Sequence, residues 1–467
     1  MYVDKTCYFF CGIGGSGMMP LAVLLKKRGA DVVGSDRSYD QGKTPEKFKA
    51  LQDLGITLYP QDGSGVSENV SRLVVSTAVE SSIPDVKAAM DLGIPIIKRG
   101  AFLAELFNAS KNRIAIAGTS GKSTVTGMVG TILTALGSDP TIVNGGEIRN
   151  LRENADDRFS NIRQGRDDLF VAEMDESDGS IAYYMPSIAV LNNIALDHMS
   201  MEELEQYFGD YLGKAERAVV VNFDQPRVKV LCDDRATVDV VSYSLNDMGA
   251  RLYAYDLKPK ADGISFELRY GGAEYPVHLN VLGRHNVENA LAALGACLAY
   301  GVDLADAIEA LSGFKGIHRR MELVGTKGGI IVYDDFGHNP DKISASLESL
   351  KAFDGRLIVM FQPHGFGPLR LMRRELVAAF ADHMGADDIL IMPEVYYAGG
   401  TVDRSVTAAH LIDDLRGQGV DAHWFETRDE IPAFITGQAR AGDRIVIMGA
   451  RDDTLHIFAH EILNYFA

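Results

Sequence analysis

The stretch "IAIAGTSGKSTVTGMV", residues 114–129, decides how this chain is read. An apolar run, "RIAIAG", delivers Gly118 to a turn, and Gly121-Lys122-Ser123 opens a helix-length segment. The pattern is close to a phosphate-binding loop but misses the common G-x-x-x-x-G-K-[ST] form, because Ile116 stands six residues before Lys122. The physical parts survive the missing glycine. Backbone N–H groups across Gly118, Thr119, Ser120, Gly121 and Thr124 can surround phosphates. Lys122 can neutralise β/γ oxygens, and the Ser123 hydroxyl can ligate Mg²⁺. A lysine at the positive end of a helix dipole is costly unless an anion sits there. The plain alternative is a solvated lysine at a helix start.

Working outward, two more stretches begin as an apolar strand, a glycine turn and a helix: "CYFFCGIGGSGMMPLAVLLKKRGADVVGSD" (7–36) and, less regularly, "GGIIVYDDFGHNPDKISASLESL" (328–350). Strands alternating with helix-length patterns imply parallel sheets. The expected class is α/β in three domains, near 1–107, 108–314 and 315–467. The outer two are Rossmann-like, and the central one is P-loop ATPase-like. The central domain carries an insert, residues 251–283, that alternates apolar and polar residues around Gly271-Gly272, a hairpin signal for a small antiparallel patch.

In the first glycine loop, Gly12-Ile13-Gly14-Gly15-Ser16-Gly17 satisfies G-x-G-x-x-G, and Asp36 follows 19 residues past Gly17. Glycines admit a diphosphate to the backbone, the helix N-terminus donates N–H groups, and the carboxylate can take ribose hydroxyls. Alone, this favours a dinucleotide-dependent oxidoreductase, with a tight turn and a surface aspartate as the bland alternative. Downstream of the second loop, "DDLFVAEMDESDGS" (167–180) reads as a strand ending at Glu173, with Asp175, Glu176 and Asp178 beyond it. Strand-end carboxylates beside a phosphate loop are where Mg²⁺ ligands belong. Glu173 is first in line after the strand, and some members of the cluster read as a solvated turn. A further strand, "SIAVLNNIALDHM", is expected to end at Asp197-His198. A lone histidine is more often structural than a ligand, and Mg²⁺ prefers oxygen.

Composition narrows the partners. Lys+Arg 46 against Asp+Glu 64 gives a net charge of −18 with no long basic run, which argues against nucleic acid and anionic membranes. No run reaches the ~18 apolar residues of a membrane span. The beginning, "MYVDKTCYFFCGIGG", has neither a basic leader nor a cleavage site, so a cytoplasmic location is expected. Cys7, Cys11, Cys232 and Cys297 lack C-x-x-C spacing, and Cys7 and Cys11 read as buried thiols.

Taken together, these residues resemble the Mur ligases, ATP-dependent amide-bond-forming enzymes of peptidoglycan precursor synthesis. The matching pieces span nearly the whole chain: "GIGGSGM", "GTSGKST", "NGG" (144–146), "VAEMDESD", "NNIALDHM", "GRHNVENALAA" (283–293), "HRRMELVG" (318–325), "DDFGHNP" (334–340), "FQPH" (361–364) and "EVYYAG" (394–399). The short phosphate loop is the form this family uses. The resemblance implies that Lys122 binds the β/γ-phosphates of ATP, that Ser123 holds Mg²⁺, and that Glu173 and His198 hold a second Mg²⁺. It implies that Asn286 and Asn289 support the adenine nucleotide, that Arg320 reaches ATP and that Asp335 helps close the C-terminal domain. Gly14, Gly15, Ser16, Gly17 and Met18, with Ser35 and Asp36, would bind the UDP moiety of a UDP-N-acetylmuramate-type nucleotide sugar. His338, His364, Arg370 and Tyr396 would face the amine substrate, an amino acid or short peptide, with L-alanine the first expectation. His338 could assist proton removal there or serve a structural hydrogen bond. Related alternatives are ligation of a recycled peptide or other amine, and a paralogue with a changed reaction.

The chain also departs from the family pattern. Ser120 stands where histidine is usual and Ser123 where threonine is. After "FQPH" an arginine-rich run is replaced by "GFGPLR", so Gly365 and Pro368 take the place of two arginines and Arg370 remains. "GHHP" has become "GHNP" at Asn339, and "GARDDT" (449–454) replaces a glycine-rich turn. The changes concentrate where the amine would be selected. Lys214 does not match in spacing the modified lysine of some relatives.

Overall fold

A computed structural model describes residues 6–76, 79–152, 159–195, 199–397, 403–452 and 454–466. The first sheet takes its strands from β1 Cys7–Cys11, β2 Asp31–Ser35, β3 Thr57–Tyr59, β4 Val70–Val75 and β5 Ile96–Lys98. They lie in the order β3-β2-β1-β4-β5, all parallel. Strand order reverses beside β1, and the first glycine loop leaves its C-terminal end, the usual crevice of an open parallel sheet.

The second sheet contains β6 Asn112–Ala117, β7 Pro140–Val143, β8 Ile162–Arg163, β9 Arg166–Glu173, β10 Ile188–Leu191, β11 Ala218–Asn222, β12 Asp239–Ser244, β13 Leu252–Lys260, β14 Gly263–Tyr270 and β15 Ala273–Leu279. Its order is β15-β14-β13-β12-β11-β10-β6-β9-β7-β8. β6, β9, β10 and β11 are near-continuous apolar runs because a parallel sheet is covered on both faces. Gly271 and Gly272 turn the chain between β14 and β15 with φ of +58° and +84°, which meets the hairpin expectation. One expectation needs correction. The strand in "SIAVLNNIALDHM" ends at Leu191, level with the end of β6 at Ala117, so Asn192 to Ala195 are loop rather than strand. Asp197 and His198 lie outside the described residues.

The third sheet is built from β16 Glu322–Lys327, β17 Ile330–Asp335, β18 Leu357–Gln362, β19 Ile389–Pro393, β20 Asp421–Phe425 and β21 Arg444–Gly449. The order is β16-β17-β21-β18-β19-β20, parallel except for the antiparallel edge strand β16. The last strand to be made thus lies between β17 and β18.

Two compact units result. One comprises residues 1–256, 266–277 and 285–315, and the other comprises 257–265, 278–284 and 316–467. Within the first, the first two sheets share a core. Phe107 meets Phe170 and Tyr184 edge-on at 5.5 and 5.3 Å, and helix Met18–Lys27 is buried along Leu21–Leu25. Within the second, the Tyr333 hydroxyl donates to the Ala261 carbonyl at 2.8 Å, so the turn between β13 and β14 is tied to β17. The four cysteines are free thiols, three buried and Cys7 half-buried.

Candidate functional site

The phosphate loop leaves β6 with the end of β9 on one side and the end of β10 on the other. Helix Lys122–Ala135 starts at its tip and is buried from Ser123 to Leu133. Gly118 and Gly121 hold φ of +131° and +85°, a region that side chains disfavour. A Cβ on Gly121 would lie 2.4 Å from Asn289 Oδ1 and 2.6 Å from Asn192 Nδ2, so only glycine fits.

Asparagines hold this loop. The Asn193 carboxamide accepts from Thr119 Oγ1 at 2.9 Å and from the Ser120 amide at 2.8 Å, and it donates to the Ser120 carbonyl at 3.1 Å. Asn192 donates to Asn289 Oδ1 at 2.8 Å and accepts from the Tyr243 hydroxyl at 2.5 Å, while Asn289 donates to Asn286 Oδ1 at 2.9 Å. A buried, mutually satisfied network of this kind fixes geometry because each broken member leaves a costly orphan. Of the two asparagines expected to serve the nucleotide, Asn289 lies against Gly121 and Asn286 stands behind it, accepting from Asn289. Asn192 and Asn193 were not singled out from sequence, although paired asparagines ending the apolar run "IAVL" were the available signal.

The acids divide differently from expectation. Lys122 Nζ donates to the Gly118 carbonyl at 2.6 Å and pairs with both Glu176 oxygens at 3.1 and 3.0 Å. Glu176 is buried, not part of a solvated turn. Burial pushes its carboxyl above the usual range, with the Lys122 ammonium pulling the other way. Glu173 accepts from the Gly145 amide at 3.0 Å, and a Cβ on Gly145 would meet its carboxylate at 2.7 Å. Asn144 donates to the Ser123 carbonyl at 3.2 Å, and its own Oδ1 is buried without a partner among the described residues. Among the described residues no cluster of three or more His, Cys, Asp or Glu is arranged to hold a metal. The oxygen donors present, the Ser123 hydroxyl, Glu173 and the orphaned Asn144 Oδ1, nevertheless suit Mg²⁺, which takes few protein oxygens and keeps its water.

At the first glycine loop, the Gly14 amide donates to Asp36 Oδ2 at 2.9 Å, and the Ser38 amide donates to Asp36 Oδ1 at 2.8 Å. Asp36 therefore caps helix Arg37–Asp40 and braces the loop. The Ser35 hydroxyl donates to Asp85 Oδ2 at 2.5 Å, and the carbonyl of Ser35 accepts from Gly12 and Ile13. Asp85 is fully buried, and burial pushes its carboxyl up. Ser16 is exposed, while Met18, at the start of its helix, is buried. Arg99 lies against Gly17, its Cδ 3.0 Å from where a Cβ would be, and its guanidinium pairs with Asp178 at 2.7 Å.

In the second unit, Asp335 is a buried hub. It accepts from the Met321 amide at 3.0 Å, the Gly337 amide at 3.0 Å and the Ser346 hydroxyl at 2.7 Å. Arg319 and Met321 hold φ of +57° and +46° on either side of Arg320. Arg319 is buried, donating to the Gly449 carbonyl at 2.8 Å, whereas Arg320 is exposed. His338 and His364 meet at 5.6 Å between ring centres, and His338 Nδ1 lies 2.8 Å from the Phe336 carbonyl. Burial lowers the pKa of both rings, that of His364 to about 4, with the neighbouring His338 and Arg451 adding to it. Tyr396 joins His364 through the backbone, its carbonyl accepting from Gly365 at 3.0 Å. Arg370 is exposed and paired with Asp403 at 2.5 Å. Asn339 caps helix Pro340–Lys351, accepting from the Lys342 amide at 3.0 Å.

A strand, a glycine loop, and a lysine and hydroxyl opening a buried helix, with carboxylates at the next strand end, define a phosphate-loop nucleotide enzyme of the parallel α/β class. Three family descriptions match in chain order: "Mur ligase family, catalytic domain" at residues 8–111, "Mur ligase middle domain" at 116–297 and "Mur ligase, glutamate ligase domain" at 319–451. The chain belongs to the Mur ligase family, and its chemistry is ATP-dependent amide ligation in peptidoglycan synthesis. It is similar to a UDP-N-acetylmuramate–L-alanine ligase of Streptomyces avermitilis, 34% identical over 456 residues that cover 95% of this chain and 94% of the relative. It is likewise similar to one of Nitratidesulfovibrio vulgaris, 35% identical over 448 residues, 94% of each. Among solved structures, the UDP-N-acetylmuramate–alanine ligase of Thermotoga maritima has a TM-score of 0.79 at 25% identity, covering 99% of both chains. A murein peptide ligase of Psychrobacter arcticus has a TM-score of 0.66 at 25% identity, covering 99% of this chain and 98% of that one. The first glycine loop lies inside the family match, so the oxidoreductase reading gives way. Among the described residues no helix is long and apolar enough to cross a membrane.

Proposed function

We propose that this chain joins L-alanine to the carboxylate of UDP-N-acetylmuramate through an acyl-phosphate intermediate, in the cytoplasm. The observation that carries the reading is Lys122, held beneath Gly118 at the mouth of a buried helix, in a chain whose full-length relatives bear that name. Residues 1–107 would take the nucleotide sugar on Gly14–Met18, Ser35 and Asp36. Residues 108–314 would take ATP on Gly118–Thr124, Asn286 and Asn289. Residues 315–467 would bring Arg320 and Asp335 to ATP and offer the amine to His338, His364, Arg370 and Tyr396.

A carboxylate resists attack because its leaving group would be oxide. Transfer of the γ-phosphoryl group to it gives an acyl phosphate, the amine adds, and collapse releases phosphate and the amide. Lys122 exchanges Glu176 for phosphate oxygens and neutralises charge as the phosphoryl group moves. Ser123, Glu173 and, outside the described residues, His198 would hold Mg²⁺. When bound, that ion supplies further charge neutralisation at the phosphates. His338, neutral near pH 7, is the ring that would accept the proton the ammonium form of the amine must lose, since burial leaves His364, at about 4, the weaker base.

The test is phosphate release with UDP-N-acetylmuramate against single amino acids and a tripeptide. Release should require ATP, the sugar and L-alanine together. A preference for tripeptide transfers the assignment to peptide ligation, and release indifferent to sugar and amine overturns ligation.

A further inference from the structure

Three neighbouring parallel strands end at one lip. Register pairs Asp335 of β17 with Met448 of β21, and Gln362 of β18 with Gly449 of β21. His338 follows β17 by three residues, His364 follows β18 by two, and Arg451 follows by two the end of β21, the strand between them. The backbone of Arg451 is left-handed, φ +68°, a conformation that residues with side chains rarely keep without cause. Its side chain is exposed and makes no hydrogen bond or ion pair among the described residues. Its charge is nevertheless felt at both imidazoles.

The other cations around this lip are committed. Arg370 is paired with Asp403, and the Arg404 guanidinium lies over the rings of Phe366 and Tyr397 at 5.4 and 5.0 Å. Arg319 is buried on backbone carbonyls. Lys342 acts on His338 from the first turn of its helix, and Asp335 opposes it. Positions 365 and 368 are glycine and proline, so the loop after His364 offers no charge there.

We propose that Arg451 holds the carboxylate of the incoming α-amino acid, presenting its amine beside His338 and His364. This rests on the ligase reading above. An α-amino acid brings one fixed anion, and the guanidinium fork matches it bidentately. With both imidazoles neutral near pH 7, Arg451 is, among the described residues of the lip, a cation with no hydrogen bond or ion pair to give up. A left-handed arginine between two histidine-bearing strand ends then has a use that folding alone does not give it.

The experiment compares L-alanine with L-alaninamide, which lacks the carboxylate, in wild type, R451Q and R451G. Glycine relieves the left-handed backbone, so R451G guards against a folding defect. The loss of a charge-assisted pair is expected to raise KM for L-alanine about 10- to 100-fold, with KM for ATP and UDP-N-acetylmuramate within about twofold. KM for L-alaninamide should not change. An equal loss with both amines, or no loss, overturns the proposal. Wild type that ligates no amine sinks the ligase reading instead. The ring resonances of His338 and His364 then decide: shifts with L-alanine but not L-alaninamide, abolished in R451Q, support the carboxylate site, and their absence in wild type overturns it.

Discussion

The phosphate loop and the lip of the third sheet are both strand-end sites, yet they are built in opposite ways. Around Gly121, four asparagines, Tyr243 and Glu176 leave the polar groups of the loop engaged in hydrogen bonds. Around His364, two half-buried imidazoles and an exposed arginine face one another with few bonds between them. The first, read as the ATP site, would stabilise a charge distribution common to every phosphoryl transfer, and preorganised donors serve that best. The second, read as the amine site, would have to distinguish one amine from another. Rigidity goes with the shared chemistry and openness with the choice of partner.

The strongest way to break that contrast is at Lys122. K122M should lower kcat for phosphate release about 100- to 1,000-fold, the cost of removing one preorganised charge from a transferring group. An effect no larger than that of R451Q would erase the distinction. Next comes rigidity itself. G121A forces a Cβ into Asn289 and Asn192 at a positive φ, and it should cost about 2–3 kcal/mol of stability in thermal unfolding, together with ATP affinity. At the lip, pH is the probe. His364 binds its proton near pH 4 when folded and near 6.5 when unfolded, so the unfolded state holds more protons between those values. Its contribution makes stability rise with pH across that window and level off above it. H364F should flatten that slope in the unfolding of residues 316–467, and an unchanged slope would contradict a buried neutral ring. The smallest effect is expected at Asn339, where N339A removes a helix cap worth about 1 kcal/mol, measurable by denaturant midpoint.

Legibility followed the range of the interactions. The β6–loop–helix unit, the strand ending at Glu173 and the turn at Gly271-Gly272 were readable because each is set by neighbours in sequence. Which acid of the cluster is buried was not readable, because the ion pair that engages Glu176 comes from Lys122, 54 residues away. The expected end of β10 lies too late because apolar residues resume at Ile194 and Ala195 after the two asparagines, while its partner β6 stops at Ala117. The alignment of Arg451 with two histidines needed the insertion of the last strand between β17 and β18, which no local pattern announces. The asparagine at 339, a departure from the family pattern, became intelligible once it was seen capping a helix.

Arg99 rests against the first glycine loop at Gly17 and grips Asp178, which lies two residues past the carboxylate that holds Lys122. One side chain therefore touches both the first glycine loop and the acidic turn beside the phosphate loop, the two proposed binding sites. If filling either site alters that grip, thermodynamics demands symmetry: whatever factor the nucleotide sugar imposes on ATP affinity, ATP must return in full. Measured as a pair of titrations, each with the other ligand present and absent, the two factors should match, and R99A should bring both toward unity.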